Sequence, residues 1–252
     1  MLSEEINLIW KKIRSEVKIL SDNEPILSQF YYSMILRHQS FIPSLSFILS
    51  NILGNKMITN SFLQDTFEKL YFSDISLIKS VVKDMYAVYN QDPVINHYSS
   101  ILLYLKGFHA LQIYRMSHQL WKMGRKSLAL FLQNTVSVLL SVDIHPAADI
   151  GYGIMFDHAT GIVIGETALV ENNVSILQSV TLGSTGKTIG KRHPTIREGV
   201  VIGAGAKILG NIEIGLNSKI GAGAVVLSSV PSYSTAAGVP ARIISKSIEI
   251  NS

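Results

Sequence analysis

The C-terminal half of the chain places an aliphatic residue at every sixth position. The repeated residues from position 196 onward are Ile196, Ile202, Ile208, Ile214, Ile220 and Val226. This period matches neither an amphipathic helix, which repeats about every 3.6 residues, nor a strand, which repeats about every 2. A hexapeptide period is typical of a parallel β-helix, in which three short strands form a coil of about 18 residues and the aliphatic side chains fill the axis.

The same period occurs upstream, in two phases that differ by two positions. One phase contains Ile144, Ile150, Phe156 and Ile162, and the other contains Ile164, Val170, Ile176 and Leu182. From Leu182 to Ile196 the spacing widens to 14 residues, so residues 184–195 are predicted to leave the wall as an excursion loop. Long loops without a hydrophobic pattern more often have a function than serve only as surface connections, and we predict a function for this one.

The N-terminal part of the chain follows helical spacing instead. The predicted helices cover about residues 4–20, 26–39, 43–53, 60–72 and 75–90, then a long helix from about Tyr98 to Met123 and a last one from about Lys126 to Leu140. Ser3 is the predicted N-cap of the first helix. The pattern changes after Leu140, so we predict an α+β chain with an α-helical domain at 1–140 and a β-helix domain at 141–252.

Composition narrows the classes of partner. Cysteine is absent, which excludes disulfides, Cys-ligated metals and a Cys nucleophile. The net charge is +4, but the lysines are scattered and do not interleave with aromatic residues, so we expect no nucleic-acid partner.

The longest apolar stretches fall well short of the ~18 residues of a membrane span. Glu4 and Glu5 follow Met1 where a signal peptide would be basic and then apolar. We therefore expect a cytoplasmic protein without membrane contact.

The histidines do not form an evident metal site. His109 and His118 are nine positions apart in the long helical pattern, and His145, His158 and His193 lack the close pair that a metal-dependent hydratase would use. No metal is therefore predicted. The aromatic residues of the helical part are interpreted as core.

His158 is the strongest candidate for chemistry. It stands two positions after the inward-facing Phe156, so it is predicted to point outward, where Asp157 and Asp143 are the nearest acids of the solenoid. An exposed imidazole beside carboxylates suits a general base, because it titrates near neutral pH and an Asp can fix its tautomer. The spacing permits Asp143 to reach His158 across one coil, and it equally permits a turn-capping role for Asp143.

Two further features suit ligand binding. Arg192 and His193 lie in the excursion loop, where Arg could bind a carboxylate through paired hydrogen bonds or could simply be solvated. The sequence Ile-Gly-Ala-Gly-Ala occurs at 202–206 and again at 220–224, one coil apart. Ala204, Ala222 and Pro240 would then form a column of small residues, along which a thin ligand could lie or which could merely permit tight corners.

Taken together, these motifs resemble the serine O-acetyltransferases of bacteria. The matching blocks are Asp-Ile-His-Pro-Ala-Ala (143–148), Asp-His-Ala-Thr-Gly (157–161), Gly-Glu-Thr-Ala (165–168), Ser-Ile-Leu-Gln-Ser-Val-Thr-Leu-Gly (175–183), Lys-Arg-His-Pro (191–194) and Ala-Gly-Val-Pro-Ala-Arg (237–242). Asp92-Pro93 and residues 103–112 match as well, so the resemblance covers most of the chain. Hexapeptide repeats alone would identify only a broad superfamily, whereas the blocks at 157–161 and 191–194 are more specific.

The resemblance implies a left-handed parallel β-helix behind an α-helical oligomerisation domain. The β-helices form homotrimers, and the helical domains often pair the trimers into hexamers. It implies acetyl transfer from the co-substrate acetyl-CoA to the hydroxyl of L-serine, a step of cysteine biosynthesis, without a permanently bound cofactor. The site residues it implies are His158 as general base, Asp143 as its partner, Asp92 and Asp157 for the substrate amine, Arg192 and His193 for the carboxylate, and Gly183, Ser184, Ala204 and Ala222 for CoA.

The chain departs from the family's pattern at two places. Ser184 stands where the family often has a second Gly, beside the acetyl site. The tail ends Ile250-Asn251-Ser252, without the terminal Ile that docks into O-acetylserine sulfhydrylase in the family, so we expect that complex to be weak or absent. The alternatives left open are a hexapeptide acetyltransferase for a sugar or other hydroxyl and a purely structural trimeric scaffold.

Overall fold

The computed structural model describes residues 2–55, 57–186 and 189–246. The side chain of Ser3, which is the predicted cap, and the C-terminal tail at 247–252 lie outside what the structure describes. The chain forms two compact units, Met1–Gln112 and Ile113–Ser252. Among the described helices, none is long and apolar enough to cross a membrane.

The first unit is helical throughout. Its helices are α1 (Leu2–Asn23), α2 (Ser28–Tyr31), α3 (Phe41–Leu53), α4 (Asn60–Ser73), α5 (Ile75–Gln91), α6 (Tyr98–Tyr104) and the first part of α7 (Lys106–Lys122). A 3-10 turn at Pro25–Leu27 and a π-helix at Tyr32–Leu36 flank α2, so the single helix predicted over 26–39 is wrong in detail. Aromatic and aliphatic side chains fill the core, among them Phe67, Tyr71, Met85 and Ile101, as the helical pattern predicts.

The prediction of one long helix from Tyr98 to Met123 is also wrong, because the helix is interrupted at Leu105. The backbone of Leu105 is extended, with φ −84° and ψ 101°, and separates α6 from α7. The imidazole Nε2 of His109 lies 2.8 Å from the carbonyl oxygen of Leu102 and donates to it. That carbonyl would otherwise accept the next helical N–H, so the His109 ring satisfies the end of α6.

The second unit begins with the end of α7 and with α8 (Lys126–Leu140), and continues as a β-solenoid. Its described strands are β1 (Val142–Ile144), β2 (Asp149–Ile150), β3 (Met155–Asp157), β4 (Ile162–Ile164), β5 (Leu169–Val170), β6 (Ser175–Leu177), β7 (Thr181–Gly183), β8 (Thr195–Ile196), β9 (Val201–Ile202), β10 (Lys207–Leu209), β11 (Glu213–Ile214), β12 (Lys219–Ile220), β13 (Val225–Val226), β14 (Ser234–Gly238) and β15 (Ala241–Lys246).

These strands form three sheets that share the solenoid axis. Sheet 1 has the order β1-β4-β7-β10-β13, sheet 2 the order β11-β8-β5-β2, and sheet 3 the order β15-β14-β12-β9-β6-β3. All described pairs are parallel except β14–β15. The predicted fold class, a helical N-terminal part followed by a parallel β-helix, is confirmed. The boundary at 140/141 remains a prediction, since the chain changes from helix to strand there whereas the compact units divide after Gln112.

The register corrects the two-phase pattern of the first coil. Val142 pairs with Ile162 and Ile144 with Ile164, so Ile162 and Ile164 belong to one strand and both are buried. The axial series therefore continues from Phe156 to Ile164, with Ile162 as a second inward residue of β4.

A two-residue insertion in the first coil accounts for the shift between the phases. Phe156 pairs with Ile176, and Ile164 pairs with Leu182. Eight positions separate 156 from 164, but only six separate 176 from 182, so the first coil has two extra residues between β3 and β4. The insertion lies in the corner that carries His158.

The last coil corrects the column of small residues. The alanines at 204 and 222 are one coil apart, and the N–H of Gly223 donates to the carbonyl of Ala204 at 2.8 Å. The next coil is shorter, since Ile220 pairs with Ala236, only 16 positions later. The predicted continuation of the column to Pro240 is therefore wrong, and the register places residue 238 there instead.

Candidate active site

The corners of the solenoid align along two edges of sheet 1. We call the corners between sheets 3 and 1, residues 158–161, 178–180, 203–206 and 221–224, the His158 edge. We call the corners between sheets 1 and 2, residues 145–148, 165–168, 184–186 with 189–194, and 210–212, the His193 edge. A three-residue strand separates the two edges, a width of about 10 Å at the usual rise per residue.

The inserted corner holds His158 in an unusual backbone conformation. His158 and Ala159 both have left-handed backbones, with φ of 54° and 61°. Two consecutive left-handed residues other than glycine are uncommon, and such conformations cluster at functional sites. Backbone hydrogen bonds stabilise this corner: the N–H of Gly161 donates to Ser141 at 2.7 Å, and the N–H of Ser179 donates to Thr160 at 2.8 Å.

His158 is presented to solvent beside a carboxylate. Its side chain is 75% exposed, and its Nε2 lies 3.7 Å from Oδ1 of Asp157. Asp157 ends β3 and is only 30% exposed. The prediction that His158 points outward near an acid therefore agrees with the geometry, and its catalytic role remains a prediction.

Asp143 has a different partner in this chain. It is the central residue of β1, between the buried Val142 and Ile144, so its side chain leaves the axis. Its Oδ1 accepts a hydrogen bond of 2.7 Å from Nε2 of Gln133 in α8. Among the described contacts the carboxylate beside His158 is that of Asp157, so the Asp143–His158 pairing stays a prediction.

Arg192 is oriented by the neighbouring coil. Its guanidinium donates to Oε2 of Glu166 at 2.6 Å and to the carbonyl of Gly190 at 3.3 Å. The ion pair with Arg192 lowers the pKa of the Glu166 carboxyl, so Glu166 remains ionised. The backbone N–H of Arg192 donates to Oγ1 of Thr167 at 3.0 Å, which ties the excursion loop to the corner at 165–168.

His193 is buried in the same cluster and is held as a neutral ring. Its Nδ1 accepts the N–H of Thr167 at 3.1 Å and lies 2.8 Å from Oγ1 of that residue. Burial and the Arg192 cation lower the pKa of His193. A neutral imidazole that accepts at Nδ1 carries its proton on Nε2, which makes His193 a hydrogen-bond donor.

His145 is a second neutral imidazole on this edge. Its Nδ1 accepts the N–H of Ala147 at 3.1 Å, and the ring packs edge-on against Trp121 with centroids 5.1 Å apart. Burial lowers the pKa of His145, against the opposing effects of Glu166 and Asp143. The two imidazoles and the Arg192 guanidinium thus make this edge rich in donors.

The residues predicted for CoA divide between the two edges. Ala204 and Ala222 lie on the His158 edge, where a side chain at Gly203 would come within 2.6 Å of the Ala222 nitrogen. Gly183 is the last residue of β7, and Ser184 begins the excursion loop on the His193 edge. The Gly183 carbonyl accepts from Gly210 at 3.0 Å, and the Ser184 hydroxyl accepts from Gly186 at 3.2 Å.

Asp92 lies in the first unit and has a local structural role. It follows α5, and its Oδ1 accepts the N–H of Val94 at 3.0 Å. This is the turn-forming bond expected of an Asp before Pro93. Its predicted contact with the substrate amine remains untested.

Sequence reasoning missed four residues that shape the second unit's site. Gly165, Glu166 and Thr167 were visible only as part of the Gly-Glu-Thr-Ala block, without a role, while Gln133 carried no signal. Among the described residues there is no group of three or more His, Cys, Asp or Glu side chains that could hold a metal ion. The histidines of α7 instead bond to backbone, with Nδ1 of His118 at 2.7 Å from the carbonyl of Pro146.

Comparison with known proteins identifies the family of both parts of the chain. Residues 9–113 match the family model described as "Serine acetyltransferase, N-terminal". Residues 193–228 match the model described as "Bacterial transferase hexapeptide (six repeats)".

Individual relatives agree over nearly the whole length. The serine acetyltransferase of Salmonella typhimurium is 57% identical over 98% of this chain and 90% of its own. The structure of serine acetyltransferase from Brucella abortus in complex with coenzyme A has a TM-score of 0.95 at 47% identity, covering 97% of this chain and 98% of that one. The soybean serine acetyltransferase complexed with serine has a TM-score of 0.93 at 50% identity, covering 95% and 99%. The chain belongs to the serine acetyltransferase family.

Proposed function

We propose that this chain transfers the acetyl group of acetyl-CoA to the hydroxyl of L-serine, with His158 as the general base. The observation that carries the proposal is the inserted corner, which holds an exposed imidazole beside Asp157. The product, O-acetyl-L-serine, serves cysteine biosynthesis. Acetyl-CoA is a co-substrate of the cytoplasm, and we place the reaction there.

The reaction requires one proton to move twice. His158 takes the hydroxyl proton as the serine oxygen attacks the thioester carbonyl, and the imidazolium returns it to the sulfur as the C–S bond breaks. Asp143 stabilises the imidazolium. The thioester is already activated, so these residues need to supply only a base and donors for the oxyanion.

Serine would be recognised through its charged groups. Arg192 and the Nε2–H of His193 are donors suited to its carboxylate, and Asp157 and Asp92 are assigned to its ammonium group. Coenzyme A would lie along the backbone near Gly183, Ser184, Ala204 and Ala222, where small residues admit an extended ligand.

A complete site needs both edges of sheet 1, and we propose that a neighbouring protomer brings them together. His158 and Arg192 lie on different edges of one solenoid, with the width of β4 between them. In a homotrimer, or a dimer of trimers, the His158 edge of one solenoid can face the His193 edge of the next. Mixing two inactive variants, His158→Ala and Arg192→Ala, and refolding them together should then restore part of the activity. Mixtures as inactive as their parents would argue for a site within one protomer.

The assigned base can be tested directly. His158→Ala is expected to remain folded, because the side chain is largely exposed, and to lose turnover by about 10²–10⁴-fold, the usual contribution of a general base. Release of free thiol from acetyl-CoA should be measured with L-serine and with sugars as acceptors. Full activity of His158→Ala would refute the base, and a preference for sugars would refute the acceptor.

A further inference from the structure

Gln133 donates a hydrogen bond to Asp143, one of the two residues of the proposed catalytic pair. Its Nε2 donates to Oδ1 of Asp143 across 2.7 Å in a partly buried setting. A carboxylate can only accept, so the NH₂ group of the amide must face it, and the amide orientation follows from the chemistry.

Packing determines the geometry of this pair. Leu132, on one side of Gln133, is fully buried, as is Ala129 one helical turn earlier. At the end of α8, Ser141 adopts a left-handed backbone with φ 57° and donates to the carbonyl of Ser137 at 3.1 Å. This residue reverses the chain, and β1 then packs against α8. Gln133, in the middle of α8, therefore meets Asp143 where the helix packs against β1 and not in a flexible loop.

A neutral donor suits the role proposed for Asp143. The carboxylate has two oxygens, and Gln133 occupies Oδ1 while Oδ2 remains for a second partner. A Lys or Arg at 133 would also hold the carboxylate, but its positive charge would weaken the attraction between Asp143 and an imidazolium. An amide holds the carboxylate without neutralising it.

We propose that Gln133 is a positioning residue for acetyl transfer, which holds the Asp143 carboxylate so that its free oxygen can orient the His158 imidazole. This inference rests on the role of Asp143 in the proposed function. Gln133 itself does not contact substrate in this arrangement, and its effect is expected in turnover, with little change in substrate binding.

The test uses variants that differ in the donor and not in size. Gln133→Met keeps an unbranched side chain of similar length, and kcat should fall about tenfold, the worth of one ordinary hydrogen bond, with unchanged KM for serine and acetyl-CoA. Gln133→Glu should lose more, since two carboxylates would then repel. Asn134→Leu removes an amide from the adjacent exposed position and should leave kcat unchanged. If Met impairs folding, Gln133→Asn withdraws the donor by one methylene and should lower kcat in the same way.

A double-mutant cycle separates positioning from general stability. In an Asp143→Ala background, Gln133→Met should have no further effect on kcat, because the carboxylate to which Gln133 donates has been removed. Fully additive losses, or an unchanged kcat in Gln133→Met while Asp143→Ala is impaired, would overturn the role of Gln133 and leave the proposed function intact. An unimpaired Asp143→Ala enzyme would instead refute the proposed role of Asp143 itself.

Discussion

The imidazole of His193 occupies the space that a side chain at Gly165 would fill. A Cβ built on Gly165 would lie 2.0 Å from Nε2 of His193 and 2.1 Å from its Cδ2. No side chain can share that space, because the ring is also held at Nδ1 by Thr167. Residue 165 must therefore be glycine for the His193 ring of the next coil to occupy its observed position.

Gly165→Ala should displace His193. We expect a loss of about 1–3 kcal/mol in unfolding free energy, the usual cost of overpacking, and a higher KM for serine. Urea denaturation and steady-state kinetics measure the two effects. In a His193→Ala background the same substitution should cost little stability, since the clash is gone. An equal cost in both backgrounds would show that the ring is not what excludes the side chain.

Asp92→Asn should separate the structural role of this residue from its predicted role in binding. Asparagine keeps an Oδ1 that can accept a hydrogen bond from the N–H of Val94, which lies 3.0 Å from Oδ1 of Asp92 in this chain. The melting temperature should therefore not change. The charge that would meet the serine ammonium is lost, and KM for serine should rise about tenfold, as for a charge-assisted hydrogen bond. A lower melting temperature with unchanged KM would assign Asp92 to the turn alone.

Arg192→Lys should impair serine binding selectively. Lysine keeps the charge but loses the paired donors that match a carboxylate, so KM for serine should rise while KM for acetyl-CoA stays near normal. Arg197 offers a matched control, because it also pairs with carboxylates, Glu171 at 2.6 Å and Glu213 at 2.5 Å. Arg197→Lys should leave both KM values unchanged. A parallel rise in KM for acetyl-CoA in Arg192→Lys would place this residue on the co-substrate.

Stability should fall when the pH drops below about 6.5, the ordinary pKa of histidine. Burial lowers the pKa of five imidazoles in the folded chain, those of His38, His109, His118, His145 and His193. In the window between the lowered values and 6.5 the unfolded chain binds more protons, so the unfolding free energy rises with pH there and is lost as pH falls.

The deeply buried His109 allows a test of this slope. His109→Gln keeps an N–H donor for the carbonyl of Leu102 and removes the titrating group. Urea denaturation at several pH values from about 5 to 7.5, around the ordinary pKa of histidine, should show a shallower slope for the variant. An identical slope would mean that His109 does not contribute to the pH dependence.

The sequence by itself determined the architecture of the solenoid and the nature of its chemistry. Aliphatic side chains must recur every six residues when three strands make one coil. The series that begins at Ile196 therefore predicts which part of the chain forms the solenoid. The helical part was predictable from its spacing of three and four residues, with two exceptions. One is the 3-10 turn and π-helix around α2, and the other is the interruption at Leu105, where the ring of His109 replaces a helical bond that no spacing rule detects. The outward position of His158 followed from its distance to Phe156.

Only the tertiary structure decided which side chains meet. Ile162 and Ile164 are equally aliphatic, and strand pairing alone shows that both belong to β4 and that the two extra residues lie in the His158 corner. The bonds from Gln133 to Asp143 and from Arg192 to Glu166 join residues 10 and 26 positions apart. Such contacts depend on where α8 ends and how the coils stack, and periodicity reports the direction of a side chain but not its partner.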